Sequence, residues 1–347
     1  MGPDPTAVDP FDLAKAETLL MAYHARYADG MDRFAVLGVE QEFRSPLRNP
    51  DTGGISRTWT LAGKIDVLVR DLEDGLVKVI DHKTASGDVG PGSAYLKRLR
   101  LDGQITIYYA GAEALGHHVA GCIYDVLVKP ALRPLKATPQ ESRKYTKTGA
   151  LYATQRDRDE TPEEYQERLV AAIVASPNDY LVRANVERLE SEMLDGMADV
   201  WQTGRTIRES ELANRHPRNP GACVSYGRTC DFFGVCTGEE SIKDERLFTR
   251  RESRAVHAEL GPDDNAFALL TTSRLSAYRA CPRLHKLRYI DGYRPAVEAE
   301  SLRFGSLVHR GLQRWWEAWS DERLDAALAA LRAPESVHDT SAPVGAA

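Results

Sequence analysis

The sequence has no apolar run near the ~20 residues that a transmembrane helix requires. Its first residues, MGPDPTAVDPFD, lack the basic head and apolar stretch of a secretory signal. These absences give the expectation of a cytoplasmic protein with no membrane partner. Positive charge is not in excess: 45 Lys and Arg stand against 51 Asp and Glu, a formal net charge of −6. A uniformly basic nucleic-acid binder is thereby excluded, but an acidic metal site beside a local basic groove is not. Cysteine is scarce and odd in number, at five, which argues against a disulfide framework. Paired C-x2-C knuckles are missing, so a simple zinc ribbon is disfavoured. No repeat of fixed period runs through the chain.

What is present is an ordinary globular composition, 42% hydrophobic and 28% charged over 347 residues, enough for one large domain or two ordinary ones. Leu13, Ala16, Leu19, Leu20 and Tyr23 predict an amphipathic helix over 11–29. Strand-like runs follow at 35–43, 59–70 and 76–82, with LEDG at 72–75 joining the last two as a hairpin. Ser93 is placed to cap a helix that runs to Leu115 and stops at Gly116, and 122–128 is a further apolar strand. This order predicts an α/β layered fold. Residues 140–160 are polar and basic; Thr161, Pro162 and Glu164 then open a capping box. Further helices are expected over 184–208, 273–290 and 301–319, with a polar connector at 241–268 and a disordered tail.

Three features carry chemistry. Asp66 lies in the strand segment Gly63-Lys64-Ile65-Asp66, and Asp81 and Lys83 end the next strand in Ile80-Asp81-His82-Lys83. Residues two apart on a strand share a face, so Asp81 and Lys83 project together while the hairpin brings Asp66 alongside. Gln104 and Tyr108 fall one turn apart on the following helix. Adjacent carboxylates repel, and a divalent cation such as Mg²⁺, with its oxygen ligands and retained waters, relieves that repulsion. It can also polarise a phosphate and acidify a bound water, while a nearby lysine orients the water or stabilises charge. Taken singly, a strand-end Asp is a turn residue and D-x-K arises by chance; together, in this order, they describe phosphodiester hydrolysis.

The run LAGKIDVLVRDLEDGLVKVIDHKTAS followed by DGQITIYY resembles the RecB-like branch of the PD-(D/E)XK nuclease superfamily, with G-x-x-D, (D/E)-x-K and Q-x-x-x-Y in that order. The resemblance implies a restriction-endonuclease-like mixed sheet flanked by helices. It implies metal ligation by Asp66 and Asp81, a catalytic role for Lys83, and supporting roles for Gln104 and Tyr108. It also implies DNA as substrate, with Mg²⁺ or Mn²⁺ as cofactor. Glu40 and Glu42 precede these motifs on a strand face and stay unassigned as solvated glutamates. The rival readings are a non-catalytic DNA-binding module of the same fold and a zinc-stabilised structural protein.

Cys223, Cys230 and Cys236 form C-x6-C-x5-C, three candidate thiolate ligands. Cys281, in Tyr278-Arg279-Ala280-Cys281-Pro282, is the natural fourth, whereas Cys122 in GCIYDVLV reads as buried core. Iron–sulfur members of the same branch, including CRISPR-associated exonucleases and helicase–nuclease subunits, show one cysteine early and three late in the domain. By that resemblance these four hold a [4Fe–4S] cluster; zinc in the same thiolate site is the alternative.

The segment TTSRLSAYRACPRLHKLRYIDGYRP…LRFGSLVHRGLQRWWEAW also resembles this family, but there it comes first. His309 matches the family's active-site histidine and is a further implied metal ligand; otherwise it is a satisfied helix histidine. The displaced order suggests a circular permutation, with old ends joined within 241–268 and new ends between about 320 and 10, or an exchange of segments between molecules. The expected division is a nuclease core at 1–139, a helical insertion at 140–215, a cluster segment at 216–240, the connector, the displaced segment at 269–320 completing the core, and a tail at 321–347. Two basic groups suit a single-stranded DNA end: Arg274, Arg279, Arg283, Lys286, Arg288, Arg294, Arg303, Arg310 and Arg314 among Tyr278, Tyr289 and Tyr293, and Arg143, Lys144, Lys147, Arg156 and Arg158. A helicase or other repair or recombination factor is the expected partner class.

Overall fold

A computed structural model of the chain describes residues 8–225, 228–257, 259–318 and 322–333. Helix α1 (Pro10–Tyr27) starts where Asp9 accepts from the Phe11 and Asp12 N–H groups. Strands β1 (Phe34–Arg48), β2 (Ile55–Asp71) and β3 (Val77–Ala85) follow, the last two joined by the expected turn, in which Gly75 takes φ +74°. The helix expected over 93–115 is two helices, α2 (Ala94–Leu99) and α3 (Gly103–Ala114). Ser93 caps the first, but Asp102 accepts the Gln104 N–H at 2.9 Å and starts a second.

Strand β4 (Val119–Val128), helix α4 (Pro162–Ala175) with its capping box, α5 (Pro177–Tyr180), β5 (Leu181–Val186) and α6 (Glu190–Leu212) come next. Strand β5 replaces the start of the helix expected from 184, because the open edge of β4 supplies its hydrogen-bond partners, so the region 140–215 is not wholly helical. The cysteine-rich segment holds β6 (Val224–Ser225), β7 (Arg228–Thr229) and the short α7 (Phe233–Thr237). The connector contributes β8 (Phe248–Arg250) and leads into β9 (Leu269–Leu270).

Helices α8 (Thr272–Ala280) and α9 (Pro282–His285) replace a single helix over 273–290. The break falls at Cys281, extended at φ −162°, because the residue before a proline is driven out of the helical region. Strand β10 (Tyr293–Pro295), α10 (Glu300–Glu317) and α11 (Arg323–Arg332) complete the order. Helix α11 buries Ala327 and Leu331 and packs on α1 and α10, so the tail expected to be disordered from 321 is ordered at least there. The rest of that tail, from 334, lies outside the described residues. Among the described residues no helix is long and apolar enough to cross a membrane.

The sheet runs β1-β2-β3-β4-β5, with β9 paired to β2. Pairs β3/β4 and β2/β9 are parallel and the others antiparallel, so the sheet is mixed as expected. Two cores cover its faces. Ile65, Leu68, Val79, Tyr108 and Val200 share one, facing α3 and α6. Leu19, Tyr23, Val67, Ile80, Trp315 and Trp316 share the other, facing α1 and α10. Ile65 and Leu68 thus point one way and Val67 and Val69 the other, so the alternation of β2 slips at Asp66. Opposite lies Glu40, at φ +52°, where the β1–β2 pairing skips a step.

Phe43 explains the motif glycine. A Cβ on Gly63 would stand 2.7 Å from the Phe43 ring, and one on Gly111 of α3 would stand 2.6 Å from its other side. The ring is a wedge that seats α3, and hence Gln104 and Tyr108, against the β1–β2 ribbon. Gly111→Ala should therefore destabilise the fold by about 1–3 kcal/mol, the usual cost of overpacking, and restoring room with Phe43→Leu should recover part of it. Denaturant midpoints of the two single variants and the double variant measure this; additive losses would show that the two positions do not share the wedge.

Candidate active site

Asp81 and Lys83 leave β3 on the face covered by α3, and Asp66 leaves β2 where its alternation slips. Lys83 Nζ stands 2.6 Å from Asp81 Oδ2 and donates to Gln104 Oε1 at 3.0 Å. Tyr108 OH donates to Asp81 Oδ1 at 2.8 Å and receives the Gln104 Nε2–H at 2.5 Å. Gln104 and Tyr108, one helical turn apart, thus hold the lysine and the acid in one closed circuit. Asp66 Oδ2 accepts the His82 backbone N–H at 2.9 Å. His309, far along the chain on α10, brings its Nδ1 to 3.8 Å from the same oxygen. Helix α10 reaches this place because Phe304, Leu307, Val308, Leu312, Trp315 and Trp316 form its buried stripe, which lies on β1 and β3.

The electrostatics are those of crowded anions. Burial first, then the neighbouring Asp81 carboxylate, push the Asp66 carboxyl well above its ordinary range; Glu40 adds to the rise and Lys83 opposes it. Burial works against the Lys83 ammonium, but Asp81 and Asp66 outweigh it and hold the lysine protonated. Burial, reinforced by Lys83, lowers the His309 imidazole, leaving a neutral ring suited to metal ligation. His82, between the acid and the lysine, points to the opposite face. It is buried beside Tyr23 and Trp316 and is pushed by that burial to about 3.

Glu40 is the residue that sequence reading left aside. Its left-handed backbone turns it to the site, where it pairs with Lys64 and acts electrostatically on Asp66 and His309. Nothing in the sequence separates it from Glu42, which instead accepts the Gly261 N–H at 3.0 Å.

Cys223, Cys230, Cys236 and Cys281 all line one small pocket with Phe232 and Leu287, and Cys122 is buried in the core as expected. The Asn219 N–H points to Cys281 Sγ at 3.4 Å, and Cys230 N–H donates to Cys223 C=O at 2.8 Å. Among the described residues no group of three or more His, Cys, Asp or Glu side chains stands at mutual metal-binding spacing. At the acid site the reason is visible: the carboxylates are taken up by Lys83, Tyr108 and the His82 N–H. The donor chemistry of both sites nevertheless fits the expected groups, hard oxygens with one imidazole for Mg²⁺ or Mn²⁺, and four thiols for a cluster or zinc.

The basic groups are partly consumed by the fold. Arg274 is fully buried: it donates to the Phe267 and Leu269 carbonyls at 2.8 and 2.9 Å, pairs with Glu211 at 3.0 Å and stacks on Trp59. Tyr278 and Tyr289 are buried as well. Arg143 is bound to the Thr138 and Asp157 carbonyls, and Arg156 and Arg158 to Glu164. These residues are engaged within the fold.

A mixed sheet carrying paired carboxylates and a lysine, braced by a helix, is the site of a metal-dependent nuclease. The chain belongs to the PD-(D/E)XK nuclease superfamily, whose family model matches residues 7–237 and 269–344. No curated protein matches it. Nucleases of this superfamily usually use Mg²⁺ or Mn²⁺.

The raised Asp66 carboxyl gives a signed prediction. A raised folded-state value favours the metal-free protein at low pH and costs stability as pH climbs through it. In EDTA near neutral pH, Asp66→Asn should therefore melt higher than the parent. The difference should vanish below about pH 4, where unfolded aspartate is itself protonated. Added Mn²⁺ should raise the parent and not the variant. A parent that melts higher in EDTA at every pH would show that Asp66 is not strained by its neighbours.

Proposed function

We propose that the chain is a metal-dependent deoxyribonuclease of exonuclease type acting at a single-stranded DNA end, with a structural [4Fe–4S] cluster. The observation that carries this reading is His309: separated from Asp66 by most of the chain, it comes within 3.8 Å of its carboxylate. Asp66, Asp81 and His309 would hold Mg²⁺ or Mn²⁺, which when bound supplies charge to the scissile phosphate and an acidified water. Hydrolysis forms one P–O bond to water oxygen and breaks one P–O ester bond, the displaced oxygen leaving with a proton. Lys83, kept protonated by its acids, serves as a charge and hydrogen-bond donor to phosphate oxygen and not as a proton acceptor. Gln104 and Tyr108 fix the lysine and Asp81 in place. The four clustered cysteines would tie the displaced segment to the end of the core, and a helicase or recombination factor would supply the strand.

Asp66→Ala, Asp81→Ala and Lys83→Ala should each reduce Mn²⁺-dependent cleavage of linear DNA by orders of magnitude while circular dichroism is unchanged. A fully active Lys83→Ala would sink the assignment. Anaerobically prepared protein should be brown and carry iron; Cys223→Ala, Cys230→Ala, Cys236→Ala and Cys281→Ala should lose it, and Cys122→Ala should keep it. Zinc without iron would replace the cluster by a zinc site.

The order of segments is read as circular permutation within one chain. Asp66→Ala and His309→Ala proteins, unfolded and refolded together, should then stay inactive. Recovery of activity in the mixture would mean that segments exchange between molecules instead.

A further inference from the structure

The connector and the β8–β10 pair cover part of the β1–β2 ribbon and leave a cleft of about 390 Å³, lined by Lys64, Arg251, His257, Glu259, Leu260 and Arg294. Such a volume lies within the ~300–1,000 Å³ of ordinary ligand pockets. Arg251 is half-buried, yet among the described residues its guanidinium has one hydrogen bond, to the Val256 carbonyl at 3.4 Å. Arg294 is exposed and donates its Nε–H to Thr249 Oγ1 at 3.1 Å. Neither has an ion-pair partner among the described residues. Of the acids that line the cleft, Glu42 accepts from the Gly261 N–H and Glu259 from the Ser273 hydroxyl beside His257, and neither stands in an ion pair with Arg251 or Arg294 among the described residues.

Two guanidiniums therefore share one cleft with no ion pair to either among the described residues, although the Glu42 and Glu259 carboxylates line the same cleft. Burial first, then Arg294, depress Arg251 below its usual range, while Tyr289 and Glu259 oppose the fall. At the mouth stands Lys64, paired with Glu40. Lys64 precedes Asp66 by two residues on β2, about 7 Å along the strand. An anion held here would lie next to the acid site, and arginine forks match phosphate geometry.

Resting on the nuclease reading above, we propose that Arg251 and Arg294 form a phosphate subsite that holds a phosphate of the substrate strand next to the scissile bond. That phosphate is either a strand's terminal group or an internal diester.

The test is fluorescence anisotropy in EDTA, where cleavage does not contribute, with three single-stranded DNAs: linear 5′-phosphorylated, linear 5′-hydroxyl and circular. Arg251→Gln/Arg294→Gln should weaken binding about tenfold and lower the slope of log K against log salt by ~0.7 for each lost contact. Arg294→Gln alone, at an exposed position, should lower the slope by one such share without altering thermal unfolding. Arg57→Gln, in a different groove, is the control. A loss confined to the 5′-phosphorylated strand assigns the terminal group, and a loss shared by all three assigns an internal diester; both support the subsite. Unchanged affinity and slope in the double variant, or an equal loss in Arg57→Gln, overturns it. A parent protein that binds and cuts none of the DNAs overturns the nuclease reading itself, which is a different result from parent-like variants of an active nuclease.

Discussion

The mutual repulsion of carboxylates on one end of the sheet is the constraint that the rest of the structure serves. Asp66 and Asp81 are half or wholly withdrawn from water, with Glu40 close by, and the field they create raises Asp66 and keeps Lys83 charged. Unpaired buried charge is expensive, so each carboxylate has a partner: Lys83 and Tyr108 on Asp81, the His82 N–H on Asp66. On the proposed reading these partners stand where a cation would act. A divalent ion entering between the acids would replace one repulsive term by several attractive ones, and the same field that strains the metal-free protein would become its affinity.

That arrangement requires strict positioning, and the packing supplies it from both faces. On one face, Phe43 between Gly63 and Gly111 seats α3 so that Gln104 and Tyr108 reach the lysine and the acid. On the other, the two tryptophans of α10 bury themselves beside Tyr23 and His82 and deliver His309. The ribbon carries the strain: Glu40 adopts a left-handed backbone where β2 slips its alternation, which is what lets a third acid turn toward the site. Backbone distortion here is coupled to the site and not to a surface loop.

The C-terminal segment is held by more than its own helix. Strand β9 adds to β2 in parallel, and Arg274 clamps the connector carbonyls to α6 and Trp59. A buried guanidinium that satisfies two carbonyls, a carboxylate and an aromatic face fixes the approach of everything after it. The cleft with Arg251 and Arg294 exists because the connector lies over the ribbon at that angle.

Local spacing was enough to determine the acids, the lysine, the hairpin between them and the capped helices, because a turn of known length and a period of two or 3.6 residues set geometry over short distances. It also placed Cys122 in the core. Local spacing failed where a competing partner lay far away in sequence. Strand β5 formed because β4 had an open edge, Arg274 was buried because Trp59 and two carbonyls waited for it, and Arg156 and Arg158 were spent on Glu164. Which glutamate faces the site was decided only by tertiary structure, and the placing of His309 and Cys281 beside distant neighbours was an expectation from resemblance that no local spacing contained. Composition and periodicity describe a residue's own segment; the docking of segments depends on complementary surfaces and unsatisfied hydrogen-bonding groups that exist only once the sheet has formed.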